Sequence, residues 1–204
     1  MKLLRPLFIV VGLLLAGAAS LQAQTTINFT SPIGEIGKTS TGTDLDASFT
    51  FQLGSFGNFM PDSSNVADWA SNFTVLGTVN WTEGLFSQYS GTGNLVNNNA
   101  PFTTSNQGFI WGYNTQVIGA STEWILLTNA TWTFPTSGSQ PTVDWTSTDG
   151  GTFAALGALN TLGADPYLQT ANLLSAVPEP STYALLAGLA MLGFVWFRRR
   201  AARA

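Results

Sequence analysis

The chain has 204 residues, of which 9% are charged, 45% hydrophobic and 12% aromatic, and it contains neither histidine nor cysteine. The missing residue types exclude thiolate nucleophiles, disulfides, zinc fingers and Ser-His-Asp triads. With only seven Lys and Arg and a formal net charge of −4, the chain also lacks the basic cluster that nucleic-acid binding requires.

The N-terminal region, residues 1–23, has the organisation of a secretory signal peptide. Lys2 and Arg5 form a short basic region, and residues 7–19 are an apolar run. Small residues follow, so we expect cleavage after Ala23, with cleavage after Ser20 as the alternative. The expected partners of this segment are the Sec translocon and signal peptidase. A retained N-terminal membrane anchor is the competing interpretation.

The next region, residues 24–177, is long enough for one domain with its own core. Its single basic residue, Lys38, stands against ten acidic residues, which gives a formal charge of −9. This charge favours solubility and disfavours anionic partners. Because the chain has no cysteine, packing must stabilise the fold outside the cell.

Alternation of apolar and polar residues predicts strands along this region. Phe49, Phe51 and Leu53, for example, alternate with polar residues, as in a half-buried strand. The predicted strands cover residues 47–53, 75–81, 108–113, 123–128, 131–134 and 142–145. Residues 123–134 are either two strands joined by a tight turn or one bent strand. Gly, Asn, Pro and Ser clusters separate the runs at the spacing typical of a sandwich.

One segment has helical spacing, because Val66, Trp69 and Phe73 recur at three and four residues. We expect a short helix over residues 64–72, lying over an open end of the sheets. Residues 153–174 fit a strand, a loop or a short helix, and from Leu168 onward we expect a tether.

The predicted fold is therefore all-β, a β-sandwich or jelly-roll-like domain with one short helix. The domain occupies residues 24–170, and a linker follows at residues 171–177. A signal helix and a C-terminal transmembrane helix flank it. No internal repeat is convincing.

The C-terminal region ends in an apolar run and an arginine cluster. Residues 182–197 are apolar, and a helix of this length spans about 24 Å, which is short for a bilayer. The cluster consists of Arg198, Arg199 and Arg200. Because clustered arginine prefers the cytoplasmic side, we expect the folded region to lie outside the cell.

Val177, Pro178, Glu179 and Pro180 directly precede this run. The two prolines disfavour helix, so an extended strip is expected there. The order of the strip, the apolar run and the arginines resembles the PEP-CTERM sorting domain of exported Gram-negative proteins, over residues 178–204. The resemblance implies that an exosortase, a membrane-embedded transpeptidase-like enzyme, recognises the Pro-Glu-Pro region and removes the anchor. It also implies an association with extracellular polysaccharide and biofilm matrix. A permanent single-pass anchor is the alternative.

Three kinds of site are compatible with the residues of the domain. Glu83 and Glu123 each stand close to a tryptophan, and paired carboxylates held about 5–10 Å apart hydrolyse glycosides; solvated strand-edge charges are the simpler interpretation. Asp44 and Asp46 offer oxygen ligands to calcium, but a polar turn explains them equally. Asp144 and Asp149 are open to the same two interpretations.

The third kind of site is a sugar platform. Six tryptophans lie in the domain, and most fall on apolar strand faces, which favours core packing. Trp81 and Trp145 have polar neighbours, so they are the candidates for exposed indole rings that stack on sugar.

The sequence as a whole predicts an exported cell-surface or matrix structural protein, sorted through its C-terminal motif. We predict no catalytic residue, no metal and no cofactor. A carbohydrate-binding module of the exopolysaccharide matrix is the alternative function, and a glycoside hydrolase is the second alternative. The expected partners are the exosortase, the membrane during sorting, and exopolysaccharide.

Overall fold

The computed structural model describes residues 24–162, 165–173 and 191, and this part of the chain is almost entirely β. The strands are β1 (Thr25–Thr30), β2 (Ile36–Lys38), β3 (Thr50–Ser55), β4 (Thr74–Asn80), β5 (Ser90–Leu95), β6 (Gln107–Tyr113), β7 (Glu123–Thr133), β8 (Thr142–Thr146), β9 (Phe153–Leu156), β10 (Ala158–Leu162), β11 (Asp165–Gln169) and β12 (Ala171–Asn172). One short helix, α1 (Trp69–Asn72), precedes β4. The predicted all-β class with one short helix is confirmed.

The strands form three sheets. The largest has the order β12-β7-β6-β3-β4, with β9 paired to β7 beside this path. A second sheet has the order β5-β1-β8, and a third has the order β10-β11-β2. Two pairs are parallel, β1 with β8 and β11 with β2, and both join segments far apart in the chain.

The central strands of the large sheet are buried on both faces, and their side chains alternate between two hydrophobic clusters. On β6, Ile110 belongs to the first cluster, whereas Phe109 and Trp111 belong to the second. Because successive side chains of a strand point to opposite faces, the sheet separates the two clusters. The first cluster also contains Ile27 and Phe29 of β1, so it fills the space between two sheets, as in a sandwich.

Helix α1 covers the second cluster. Trp69 is fully buried and lies against Trp111 and Trp124, with ring centroids 6.1 and 5.7 Å away. Its indole N–H donates to the Oδ1 atom of Asn65 at 2.9 Å. The predicted helix over residues 64–72 is therefore shorter, a 3₁₀ turn at Val66–Asp68 followed by α1. It covers a sheet face and not an open end.

Other boundaries differ from the sequence prediction. β3 begins at Thr50, because residues 46–49 form a turn in which the Phe49 N–H donates to the Asp46 carbonyl. β7 is one continuous strand of 11 residues, which decides between the two alternatives given for residues 123–134. The tether expected from Leu168 is wrong up to Asn172, since β11 and β12 are hydrogen-bonded to β2 and β7. The signal helix and the transmembrane helix fall outside the described residues, except for Met191.

Candidate functional site

All six tryptophans of residues 24–162 lie in the hydrophobic core, and none is more than 3% exposed. They are Trp69, Trp81, Trp111, Trp124, Trp132 and Trp145. A ring that stacks on a sugar must present one face to solvent, and none of these six does so.

Trp145 shows why the platform prediction is wrong for this residue. Its indole stacks on that of Trp132, with ring centroids 5.6 Å apart and an interplanar angle of 9°. It also packs on β6 at Gly108, where an added Cβ would lie 2.3 Å from the indole. The polar neighbours of Trp145 point to the opposite face of β8, so they do not indicate exposure of the indole.

Trp81 lies in the wall of a cavity of about 500 Å³ between β2 and the residues that follow β4. Its ring packs against Phe51 at 5.7 Å, and a Cβ at Gly37 would lie 2.9 Å from it. Glycine at position 37 therefore permits the close approach of the indole to β2. Trp81 is only 3% exposed, so the predicted flat platform is wrong here too, although the residue does line a cavity.

The same cavity holds two other residues singled out in the sequence, Asp44 and Glu83. Asp44 forms an ion pair with Lys38, the only basic residue of the domain. The Oε1 atom of Glu83 accepts a hydrogen bond from the Ala47 backbone N–H at 2.6 Å. The cavity thus combines one ammonium group and two carboxylates with apolar side chains, and its volume lies in the range of ligand sites.

The aspartates suggested for calcium have other partners. Asp46 accepts hydrogen bonds from both the N–H and the hydroxyl of Ser48, which closes a turn. These bonds hold the pKa of Asp46 below its ordinary value. Asp144 accepts from the side-chain amide of Asn28. Among residues 24–162 and 165–173, no group of three or more acidic side chains is placed to hold a metal ion.

Asp149 also has two hydrogen-bond donors within the fold. Its Oδ2 atom accepts hydrogen bonds from the indole N–H of Trp132 at 3.0 Å and from the backbone N–H of Thr146 at 2.9 Å. The carboxylate therefore fixes both the orientation of a core tryptophan and the turn after β8.

Glu123 begins β7 and is only 8% exposed. It accepts hydrogen bonds from the N–H and hydroxyl of Ser40, from the hydroxyl of Thr170 and from the amide of Asn172. Burial raises the pKa of Glu123, but these hydrogen bonds outweigh burial and hold the pKa below its ordinary value. The group is an ionised carboxylate with four donors.

The two carboxylates considered for glycoside hydrolysis belong to different parts of the structure. Glu83 lines the cavity, whereas Glu123 does not. Within the described residues no hydrogen bond joins the two, and they share no partner. The structure therefore does not assemble them into one pair.

Sequence analysis missed Glu35, a carboxyl that is only 4% exposed. The hydroxyl of Ser147 donates to it at 3.0 and 3.2 Å. Burial raises the pKa of Glu35 to about 7, and the hydroxyls of Ser147 and Ser31 only partly oppose this. Ser147 is 112 residues away in the chain, so no local pattern could have identified the pair.

Several predicted site residues fall outside the described part of the chain. These are the cleavage position Ala23, the motif residues Val177, Pro178, Glu179 and Pro180, and the cluster Arg198, Arg199 and Arg200. Within the described part, no helix has the length and hydropathy needed to cross a bilayer. The structure of residues 24–162 and 165–173 therefore bears on the function of the folded domain, and the function of the tail is inferred from its sequence.

The tail is the part of the chain that a comparison identifies. Residues 176–200 match the family model described as the PEP-CTERM protein-sorting motif. The chain carries a PEP-CTERM sorting motif. This motif marks an exported protein that is targeted to an exosortase. Searches of curated proteins and of solved structures found no match. The PEP-CTERM match begins at residue 176, just after the described fold ends at residue 173, so it assigns the route of the protein and not the activity of its domain.

Proposed function

We propose that the protein is a non-catalytic structural component of the cell surface or extracellular matrix, delivered there through its PEP-CTERM motif. The observation that carries this proposal is the match of residues 176–200 to the sorting motif. The domain supports it, because the described tryptophans are used in packing and the acidic groups near them hold turns and strands together. A rigid, acidic, aromatic-cored domain suits a building element of the envelope.

The proposed route has two processing steps. Signal peptidase releases the N-terminus after Ala23, and residues 182–197 hold the chain in the membrane until the exosortase acts. The arginine cluster keeps the end of the chain on the cytoplasmic side. The domain, with its formal charge of −9 from one lysine and ten acidic residues, then remains at the surface or in the matrix.

The test of this route compares the wild-type protein with a variant that carries Pro178→Ala and Pro180→Ala. Both are followed by quantitative mass spectrometry of cytosol, membrane, surface and matrix fractions. We expect wild-type protein in the surface or matrix fraction and the variant in the membrane fraction. Equal distribution of the two proteins would contradict sorting through the motif.

The absence of catalysis is tested on mature protein recovered from the matrix. It is incubated with exopolysaccharide purified from the same cells, and the size distribution of the polysaccharide is measured. We expect no change. Shortening of the polysaccharide would contradict the proposal and favour a glycoside hydrolase.

A carbohydrate-binding module is the second candidate, and the cavity beside Trp81 favours it. Asp44, Glu83 and Lys38 offer hydrogen-bond acceptors and donors there, and apolar side chains form part of the wall. Titration of the mature protein with the purified exopolysaccharide, followed by tryptophan fluorescence, tests this function. A saturable change that is lost in Glu83→Ala would support binding, and no change at any concentration would exclude it for that polymer.

A further inference from the structure

The Glu123 carboxylate, at the start of β7, is hydrogen-bonded to two other segments of the chain, the loop at Ser40 and residues 170–172. Its Oε2 atom lies 2.9 Å from the N–H of Ser40 and 2.5 Å from the hydroxyl of Thr170. Its Oε1 atom lies 2.5 Å from the hydroxyl of Ser40 and 3.5 Å from the amide of Asn172. Two of these donors belong to the last residues of the described fold. Hydrogen bonds to an ionised carboxylate are about twice as strong as neutral ones.

These last residues, 170–173, are named the strap here. The Thr170 N–H donates to the Lys38 carbonyl at 2.9 Å, and the Leu173 N–H donates to the Thr122 carbonyl at 3.2 Å. The paired strand within the strap, β12, has only two residues. A ladder this short is weak by itself, so the side-chain bonds to Glu123 add to the attachment of the strap. The Asn172 amide, which donates to the Ala120 carbonyl at 3.0 Å, and Leu173, which packs on the second cluster, also contribute.

The sorting motif begins very soon after the strap. Four residues, 174–177, separate Leu173 from Pro178. Pro178 is five residues after Leu173, so even a fully extended chain places their Cα atoms at most about 17 Å apart. The wall of an enzyme cleft built from a single helix is already about 10–12 Å thick. An exosortase that binds Val177 to Pro180 therefore comes within a few ångströms of a domain whose strap is docked.

We propose that Glu123 is a positioning residue for processing of the tail, because it holds the strap on the sheet edge and so limits the distance that can separate the folded domain from the motif. When the strap leaves the edge, eight residues instead of four separate the sheet from Pro178, and the enzyme gains access to the motif. The proposal rests on exosortase recognition of the motif and is independent of the structural role proposed above.

The experiment measures conversion of precursor to processed protein by pulse-chase in the cells that make the protein. Removing the carboxylate in Glu123→Ala should speed conversion more than tenfold, because the strap loses two charge-assisted hydrogen bonds, those of Thr170 and Asn172. Thr170→Val removes a single hydroxyl and keeps the shape, so it should give a smaller increase. Asp62→Ala is the control, since it removes an exposed carboxylate that accepts a hydrogen bond in a different loop, from the Ser64 backbone N–H, and it should convert like the wild type.

A second readout separates release of the strap from general damage. Hydrogen exchange at the Thr170 and Leu173 amides should accelerate more than tenfold in Glu123→Ala, because the strap loses its two bonds to the carboxylate. Core amides such as Ile110 also lose protection, by the fall in global stability, but they should still exchange far more slowly than the strap amides, which shows that the fold persists. Thr170→Val provides the same test with a smaller loss of global stability.

Spacing is tested directly by changing the number of residues before the motif. Deleting Leu174 and Ser175 should slow conversion, and adding Thr170→Val to the deletion should restore it. An insertion of Gly and Ser residues after Leu173 should speed conversion without any change in exchange of the strap. These three results would support the proposal, because a merely structural role of Glu123 predicts no rescue.

The proposal is overturned if conversion is unchanged or slower in Thr170→Val while exchange of the strap is faster. It is also overturned if the insertion and the deletion convert at the wild-type rate. Pro178→Ala distinguishes this failure from failure of the sorting assignment. Normal conversion of Pro178→Ala would refute motif recognition itself, and the positioning role with it.

Discussion

Glu35 and Glu123 are both buried glutamates, yet the two regions around them treat the carboxyl in opposite ways. At Glu35 burial dominates, since the donors that reach it among the described residues are the hydroxyls of Ser147 and Ser31, and its pKa rises to about 7. At Glu123 burial also raises the pKa, but hydroxyl, backbone and amide donors outweigh it, and the pKa falls below its ordinary value. The number and type of donors, not burial alone, therefore decides which carboxyl is ionised at neutral pH.

The largest effect is expected from Glu123→Ala. The substitution leaves the N–H and hydroxyl of Ser40 and the hydroxyl of Thr170 without their acceptor in a partly buried place. We expect the free energy of unfolding to fall by about 3 kcal/mol at pH 7. Urea unfolding of the mature protein measures this. A loss no larger than that of the control Asp62→Ala would show that the network contributes little.

The same carboxylate predicts the direction of a pH effect. Because the folded-state pKa of Glu123 is lowered, its contribution is complete above the ordinary value of 4.5 and is lost as the pH falls through the folded-state pKa. The difference in unfolding free energy between wild type and Glu123→Ala should therefore shrink in acid. A difference that grows in acid would contradict the assigned charge state.

For Glu35 we expect a pH dependence of stability opposite in direction to that of Glu123. Because the folded-state pKa of Glu35 is raised from 4.5 to about 7, the stability that it contributes is complete below pH 4.5 and is lost as the pH rises through 7. At about 1.4 kcal/mol per pKa unit, wild type should lose about 3 kcal/mol relative to Glu35→Gln between pH 4.5 and pH 8. Parallel pH profiles of the two proteins would show that folding does not shift the pKa of Glu35.

Tyr89→Phe tests the surroundings of Glu35 through a smaller change in stability. The Tyr89 ring is fully buried, and its hydroxyl makes no hydrogen bond of good geometry among the described residues, although the Ser147 hydroxyl lies near it. Burial and the nearby Glu35 carboxylate raise the pKa of Tyr89 and outweigh the opposing effect of Ser147, so the Tyr89 hydroxyl stays neutral. Removal of an unpaired buried hydroxyl should stabilise the fold by about 1 kcal/mol, measured by thermal unfolding. A fall in stability of similar size would show that this hydroxyl has a hydrogen-bond partner.

The smallest effect is expected at the ion pair of the cavity. Lys38 and Asp44 have side chains 29% and 78% exposed, and exposed pairs contribute little. Lys38→Met should change the free energy of unfolding by less than about 1 kcal/mol. This difference between the variant and the wild type should become smaller when salt is added, because salt screens the ion pair. A larger loss would mean that the pair is more shielded from water than its exposure indicates.

The sequence predicted those parts of the fold that depend on local alternation. On β6 and β7, apolar residues on both faces predicted central strands, and the structure places Ile110 and Trp111 in different clusters as a result. The sequence left residues 153–174 open between strand, loop and helix, because β11 and β12 depend on pairing with β2 and β7, far away in the chain. β5 was missed since Leu95 is its only buried large side chain.

The site was less predictable than the fold. Polar neighbours suggested exposure of Trp81 and Trp145. In β8 the neighbours of Trp145 lie on the other face and carry no information about the indole. Trp81 follows β4, and its burial depends on contacts with Phe51 and Gly37, far away in the chain. The partners of Glu123 lie 83 and 47 residues away, and no local pattern connects them. The PEP-CTERM motif, by contrast, is a contiguous run of residues, and the sequence alone was sufficient to recognise it.

The central claim is that a β domain is exported and then separated from its sorting tail. The most direct test is the intact mass of the mature protein from the cells that make it. The account predicts a chain that begins at Gln24 and lacks the residues after Pro180, including Arg198, Arg199 and Arg200. A cytosolic protein with the mass of all 204 residues would contradict it.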